Sequence, residues 1–108
     1  MVMSFDEWKN VDIRIGLIEL VEDIAGKDKL YKLTVDFGEE KRIVVSGIKF
    51  YYTKEELNGK KAAFVFNLAP AKIAGIESQA MILGAVNSEN KYRVFLMEDS
   101  VKQGTRVE

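Results

Sequence analysis

The chain contains neither histidine nor cysteine among its 108 residues. It therefore cannot supply a thiolate nucleophile, a Ser-His pair or the nitrogen and sulfur ligands of ordinary zinc sites. Carboxylate oxygens could still bind Mg²⁺ or Ca²⁺, but no acidic cluster has EF-hand spacing. A glycine-rich phosphate loop is also missing. We therefore expect a protein that is not an enzyme and that uses no cofactor and no metal.

Long apolar runs are absent as well. No segment approaches the roughly 20 apolar residues that cross a bilayer, and no basic stretch followed by an apolar one opens the chain. The lack of cysteine fits a reducing compartment. These features predict a cytoplasmic protein that does not enter a membrane. The length suits a single domain over residues 1–108.

Neither sign of charge is in large excess, because the formal net charge is only -1. Its distribution is uneven: residues 27–72 contain ten Lys and Arg against six Asp and Glu, whereas the rest contains six against eleven. A basic middle between acidic ends could form a positive face for a polyanion. The alternative is an ordinary solvated surface of mixed charge.

Two capping boxes predict short helices. Ser4 and Glu7 form the first, and we expect its helix to lay the rings of Phe5 and Trp8 on the core. The second lies at 53–56, and Gly59 stands where a helix C′ residue would be.

Alternating apolar residues predict β-strands elsewhere. The first strand alternates from Val11 to Leu17, and its phase then slips beside Gly16, which indicates a β-bulge. The other strands are expected at 31–37, 42–46, about 61–66, about 80–86 and about 92–97. The fold class is therefore all-β. Three strands, a helix and two strands are typical of a five-stranded Greek-key OB-fold barrel, here at about 11–86. An SH3-like barrel is the alternative, although it gives the second helix no natural place.

The C-terminal extension, 87–108, is too apolar to lie free in water. Its apolar residues, from Tyr92 to Met97, either cover an open end of the barrel or pack on a second subunit. We favour a homodimer through this segment.

The segment 67–81 connects two strongly apolar strand patterns and holds the only proline, Pro70. We interpret it as an ordered connector, and loops of this kind often carry binding residues. A structural loop with incidental polar side chains is the other interpretation.

Several motifs follow one another along nearly the whole chain, namely Val11–Gly16, Asp28–Leu33, Val35–Gly38, Val45–Ile48, Tyr51-Tyr52 with Glu55–Leu57, Asn67-Leu68 with Pro70–Lys72, and Gly75–Gln79 with Met81. Together they resemble the tRNA-binding OB-fold domain of methionyl-tRNA synthetases, which also occurs as free-standing proteins. A chain that stops with this domain is similar to the separate beta subunit of such synthetases. The resemblance also implies a homodimer.

The resemblance implies recognition of tRNA by shape, through phosphates and 2′-hydroxyls. The basic positions that match the pattern would neutralise phosphates, and three polar residues would offer neutral hydrogen bonds. The expected tRNA-binding residues are Lys29, Arg42 and Lys72, then Ser46, Asn67 and Ser78, and Met81 as an apolar contact. Each of Asn67, Ser78 and Met81 also has a structural alternative, as a backbone-bonding or core residue.

The family often has basic residues where Ala69 stands and near Ala74. Their loss predicts a weaker, less salt-dependent affinity for tRNA. The predicted function is a non-catalytic tRNA-binding accessory with methionyl-tRNA synthetase as a further partner. The alternative is a protein-binding module of the chaperone, export or synthetase-docking kind.

Overall fold

The computed structural model describes residues 1–108, and most of its regular backbone is β-strand. The helices are α1 (Phe5–Trp8) and α2 (Lys54–Leu57). The strands are β1 (Ile13–Ile24), β2 (Lys27–Asp36), β3 (Lys41–Ser46), β4 (Lys61–Val65), β5 (Ala71–Ile73), β6 (Ile76–Ser78), β7 (Met81–Ile82), β8 (Gly84–Val86), β9 (Tyr92–Val94) and β10 (Leu96–Met97). The predicted mostly β class, with two short helices and extra C-terminal strands, is confirmed. Neither helix has the length or apolar character needed to span a membrane.

The main sheet is antiparallel and curls toward a barrel. Its strand order is β10-β4-β1-β2-β3, with β7 also paired to β4, while β5-β6 and β8-β9 form separate hairpins. Strands β6 and β7 lie against β3. The Gln79 N–H donates to the Ile43 carbonyl at 2.8 Å. The far edge of the sheet is thereby joined to the segment between β4 and β7.

Strand β1 is long enough to belong to two pairings because it bends. It pairs with β4 over Ile13–Leu17 and with β2 over Leu17–Ile24. The register with β2 shifts between Ile18 and Leu20. The β-bulge predicted from the phase of the apolar residues is therefore confirmed, and it lets one strand continue around the curled sheet.

The core lies inside this curled sheet. The four alternating apolar residues predicted for the second strand, Tyr31, Leu33, Val35 and Phe37, are all buried. The Phe37 ring meets the Phe64 ring edge-on, with centroids 5.4 Å apart. It meets the Phe66 ring in the same way at 5.0 Å. Edge-on aromatic pairs of this kind add to the stability that burial alone provides.

Both predicted capping boxes form. At α1 the Glu7 N–H donates to Ser4 Oγ at 3.1 Å, and the Ser4 N–H donates to Glu7 Oε1 at 3.0 Å. Thr53 and Glu56 make the same reciprocal pair at α2. Gly59 follows the C-cap with φ +81°, as expected of a C′ glycine.

The prediction that α1 lays both rings on the core is wrong for Phe5, which is 70% exposed. The helix has a single turn, and the C-terminal segment holds it. Arg106 Nη2 donates to the Lys9 carbonyl at 2.6 Å and to the Val11 carbonyl at 3.0 Å. Trp8, by contrast, is partly buried and lines a small cavity with Val107.

The strands expected at 80–86 and 92–97 are each divided in two. The first is interrupted at Leu83 because β7 pairs with β4, whereas β8 pairs with β9. The second is interrupted at Phe95, whose carbonyl accepts a hydrogen bond from Ala63 N–H at 3.0 Å. Each segment changes its pairing partner after a few residues, which alternation of apolar residues does not reveal.

The C-terminal extension covers its own sheet. Strand β10 pairs with β4, and the last residues run along β1. The Ile15 N–H donates to the Thr105 carbonyl at 2.9 Å, and the Gly104 N–H donates to the Ile15 carbonyl at 2.7 Å. A Cβ at Gly104 would collide with the Phe37 carbonyl oxygen, so this close approach requires glycine.

Candidate nucleic-acid interface

The connector predicted to be ordered contains a β-hairpin. Strands β5 and β6 pair from Ala71 with Ser78 to Ile73 with Ile76. The two residues at its tip, Ala74 and Gly75, have φ of 53° and 77°. Positive φ at both central residues is the pattern of a type I′ turn. The connector is therefore an ordered hairpin, and its strand β6 lies against β3.

Arg42 holds the two ends of this connector together. Its Nη1 donates to the Phe66 carbonyl at 2.6 Å and to the Gln79 carbonyl at 3.0 Å. Its Nε donates to Glu40 Oε2 at 3.0 Å. The guanidinium carbon lies 3.5 Å from the centre of the Phe66 ring. With only 18% of its side chain exposed, Arg42 is engaged within the protein at the base of the connector.

The polar residues of the connector are engaged in a similar way. Asn67 Oδ1 accepts from the Asp12 N–H at 3.0 Å, and Asn67 Nδ2 donates to the Asn10 carbonyl at 2.6 Å. The buried Ser78 Oγ accepts from the Val45 N–H at 3.0 Å. The side chains of Asn67 and Ser78 therefore anchor backbone at the beginning and end of the connector.

Gln79 is an anchoring residue that the sequence analysis did not single out. Its Oε1 accepts from the Ile43 N–H at 2.9 Å, while its own N–H donates to the Ile43 carbonyl. An amide side chain can imitate a strand partner in this way because it carries both a donor and an acceptor. The sequence shows the glutamine but does not show which backbone groups it will bond.

Lys29 and Lys72 differ from Arg42 because both are exposed and neither forms a salt bridge. Strand β6 runs antiparallel to β3, since Gln79 bonds Ile43 and Ser78 bonds Val45. The hairpin therefore extends toward the Ser46 end of β3.

Lys29 lies at this same end of β3. Tyr31 pairs with Ser46, and the Lys49 N–H donates to the Lys29 carbonyl at 3.3 Å. Lys29, Ser46 and the hairpin of Lys72 thus share one end of the sheet. Arg42 lies at the other end of β3.

Ser46 and Met81 remain accessible to different degrees. Ser46 is partly buried at the end of β3 and lines a cavity of about 350 Å³. Met81 is 46% exposed on the short strand β7, where it pairs with Val65. The exposure of Met81 leaves it free for an apolar contact, because it is not a core residue here.

The sequence analysis also did not identify a cluster of charged residues beside the connector. Arg14 Nε and Nη2 donate to the two carboxylate oxygens of Asp12, both at 2.9 Å. The Arg14 guanidinium lies 3.9 Å from the centre of the Phe66 ring. The guanidinium groups of Arg14 and Arg42 therefore both contact this ring. The hydrogen bonds from Arg14 hold the pKa of Asp12 below its ordinary value. The i, i+2 spacing of Asp12 and Arg14 on a strand could have indicated this pair.

No group of three or more Asp or Glu side chains is placed to hold a metal ion. The chemistry that the interface offers is instead ionic and hydrogen-bonding: exposed ammonium groups beside a hairpin whose ends are fixed. Such a site suits the phosphates of a polyanion. It defines a binding module built on a curled β-sheet.

Comparison with known proteins assigns the module to a family. Residues 13–106 match the family described as "Putative tRNA binding domain". The chain is 48% identical over 106 residues to methionine–tRNA ligase of Methanoculleus marisnigri. The alignment covers 98% of this chain and 16% of that protein. The chain therefore belongs to the tRNA-binding domain family. It spans about a sixth of the length of this curated relative.

Solved structures agree on the fold. The structure of a MetRS related protein from Pyrococcus horikoshii superposes with a TM-score of 0.93 and 39% identity, covering 100% of this chain and 99% of that one. Chaperone CsaA from Bacillus anthracis superposes with a TM-score of 0.87 and 25% identity, with both chains fully covered. The resemblance predicted from the sequence motifs is confirmed.

Proposed function

We propose that this chain is a non-catalytic, cytoplasmic tRNA-binding protein that recognises the shape of tRNA through the end of the sheet that carries Lys29, Ser46 and the hairpin of Lys72. The observation that carries the proposal is the pair of lysines, exposed and without salt bridges, beside an anchored hairpin in a member of the tRNA-binding domain family. Phosphate contacts position a protein on RNA without reading sequence. Lys29 and Lys72 supply these contacts, and Ser46 adds a neutral hydrogen bond.

Arg42, Asn67 and Ser78 have a different part in this proposal. Their polar atoms already bond the connector or its neighbours. They present the hairpin at a fixed position, and Met81 offers its exposed thioether beside it. A fixed hairpin loses less conformational freedom on binding, which favours affinity.

The test is a titration of bulk tRNA at several salt concentrations between about 50 and 200 mM, where counterion release makes binding to phosphates strongly salt-dependent. Lys72→Ala should weaken binding to all tRNAs alike and reduce the slope of log K against log salt by about 0.9. Lys102→Ala is the matched control. Lys102 is also exposed, but it lies beside Gly38, beyond the opposite end of β2 from Lys29.

Absence of any complex at low salt would contradict the proposed function. A loss confined to one tRNA on changing Lys72 would contradict recognition by shape. An equal loss for Lys102→Ala would show that net charge, rather than this surface, controls binding.

A second copy of the chain and methionyl-tRNA synthetase are the proposed protein partners. Phe95, Leu96 and Met97 are 51%, 49% and 39% exposed on or next to β10, an edge strand of the main sheet. Exposed apolar side chains at a sheet edge suit a dimer contact. The likeness to methionine–tRNA ligases supports the synthetase. Sedimentation at several concentrations tests the homodimer, and a monomer throughout would overturn it.

The structural likeness to chaperone CsaA favours polypeptide binding as the second candidate function. Capture from an extract treated with nuclease separates the two. A synthetase or unfolded protein retained in the absence of RNA, by a chain that does not bind purified tRNA, would support this second function over the first.

A further inference from the structure

A cavity of about 350 Å³ opens beside Ser46, between the segment that follows β3 and the β8-β9 hairpin. Its lining is Ser46, Gly47, Ile48, Tyr51, Val86 and Tyr92. The rings of Tyr51 and Tyr92 have centroids 6.4 Å apart and are tilted by 50°. None of the lining side chains is charged. The cavity therefore offers aromatic and apolar surface at the end of the sheet that carries Lys29.

Tyr92 forms a fixed wall of this cavity. Its ring lies directly against Gly84, where an added Cβ would be 2.5 Å from Tyr92 Cζ and 2.7 Å from its hydroxyl oxygen. Any side chain at position 84 would displace the ring. Tyr92 also packs against the hydrophobic core. The aromatic wall is thus held in place before any ligand arrives.

Tyr51 is held on a fixed turn although 38% of it is exposed. Its N–H donates to the Ile48 carbonyl at 3.0 Å, and the next residue, Tyr52, accepts at its hydroxyl from the Val94 N–H at 2.9 Å. Arg93 Nη1 donates to the Tyr51 carbonyl at 3.4 Å. An aromatic ring on a rigid backbone provides contact area at low cost in conformational entropy.

Basic residues flank the cavity. Lys29 and Lys49 are joined by a backbone hydrogen bond next to Gly47. The Arg93 guanidinium lies beside Tyr51, whose carbonyl it bonds, and 4.3 Å from the centre of the Tyr52 ring. Lys49 pairs with Asp23, whereas Lys29 and Arg93 form no salt bridge. An occupant with a flat aromatic face and anionic groups next to it fits this arrangement, and an unpaired nucleotide has that chemistry.

We propose that this cavity receives one unpaired base of the bound tRNA, which stacks on Tyr51, while Lys29 and Arg93 contact the adjoining phosphates. The proposal rests on the proposed function and extends it, because shape recognition alone uses only the backbone. Exposed single-stranded bases are what proteins commonly stack on aromatic side chains when they bind RNA.

The test compares tRNA affinity for Tyr51→Leu, Tyr51→Phe and Phe50→Leu. Stacking of one base predicts that Tyr51→Leu weakens binding roughly 5- to 150-fold. The slope of log K against log salt should stay unchanged, since no phosphate contact is lost. Tyr51→Phe should keep most of the affinity because it keeps the ring. Phe50→Leu is the matched control, since Phe50 is 68% exposed next in the chain but does not line the cavity.

Two results would overturn the base site while leaving the proposed function intact. One is wild-type affinity for tRNA in Tyr51→Leu, and the other is an equal loss for Phe50→Leu. Failure of the wild-type chain to bind tRNA would instead remove the proposed function. If Tyr51→Leu lost binding of an unfolded polypeptide but not of tRNA, the cavity would be a peptide site.

Ultraviolet crosslinking of wild-type protein to tRNA provides a measurement that does not depend on a variant folding. Mass spectrometry should locate a nucleotide adduct on Tyr51 or Tyr92. Adducts confined to residues of the connector, with none at the cavity, would contradict the proposal.

Discussion

The two ends of the connector and the hairpin tip between them are built in opposite ways. At the ends, Arg42 bonds the carbonyls of Phe66 and Gln79, and Ser78 bonds the backbone of β3. Between the ends, Lys72 of β5 is exposed without a salt bridge, and the chain turns at the tip through Ala74 with positive φ. Fixed ends and an accessible tip make a hairpin that presents charge without losing its position.

The expected tRNA-binding residues also divide into two kinds in the structure. The resemblance made all seven of these residues expected contacts of tRNA. In the structure, three of them satisfy backbone groups of the protein, namely Arg42, Asn67 and Ser78. The Ser78 bond is buried, the Arg42 bonds are partly buried and the Asn67 bonds are exposed. A buried backbone group left without a partner costs free energy, so the structural task is clearest for Ser78.

Replacing Arg42 with alanine should produce the largest effect, because it removes the clamp on both connector ends. We expect the free energy of unfolding in urea to fall by about 2–4 kcal/mol, since hydrogen bonds from a charged group are lost together. Arg42→Lys should recover little because an ammonium group cannot reproduce the planar fork. Lys41→Ala, at an exposed pair with Glu19, should destabilise the protein far less than Arg42→Ala.

An Arg42→Ala variant of unchanged stability would contradict this assignment. It would do so most clearly if the salt slope of tRNA binding also fell by about 0.9, which is the signature of a lost phosphate contact.

Replacing Ser78 with alanine tests an anchor at the other end of the connector. The Val45 N–H would lose its acceptor in a buried place, so we expect a loss of about 1–3 kcal/mol in the free energy of unfolding. Affinity for tRNA, measured well below the unfolding midpoint, should not change. Ser100→Ala, at an exposed serine, is the control. Lower affinity at unchanged stability would make Ser78 a tRNA contact instead.

Lowering the pH should destabilise the first end of the connector, because the Asp12 carboxylate there becomes protonated. The pKa of this carboxyl lies below its ordinary value of 3.8, chiefly because Arg14 donates hydrogen bonds to it. Stability from the charged form is therefore complete above about pH 4 and is lost as pH falls through the lowered pKa. We expect Asp12→Asn to be about 1–2 kcal/mol less stable than wild type at pH 7. The difference should shrink below pH 4.

Urea unfolding of both proteins at pH 7 and at pH 3 measures this difference. A gap of equal size at both pH values would mean that the charge of Asp12 is not what stabilises this region.

The smallest expected effect lies at the hairpin tip. Ala74 has φ of 53°, which costs energy for a residue with a Cβ but not for glycine. Ala74→Gly should therefore raise the free energy of unfolding by up to about 1 kcal/mol, in contrast to the losses at the connector ends. Thermal unfolding measures it, with Ala85→Gly in β8 as a control that should destabilise. A destabilised Ala74→Gly would show that the tip is not strained.

Local patterns in the sequence predicted the elements that local forces control. Reciprocal bonds at Ser4 and Thr53 form because the capping residues are three positions apart, and the buried side of β2 follows from alternation. Patterns could not predict the break at Leu83, since it results from a change of pairing partner. They also could not reveal that Arg42 faces two carbonyls from residues 24 and 37 positions away in sequence.

The amino-acid sequence alone is enough to predict the mostly β class, the two capped helices, the bend of β1 and the family to which the chain belongs. These depend on neighbours in the chain, whose periodicity and spacing are visible in one dimension. Which cations are engaged, which are accessible and where the C-terminal extension lies become visible in the folded chain. Those properties depend on backbone groups distant in sequence, which acquire or lack partners only when the sheet curls.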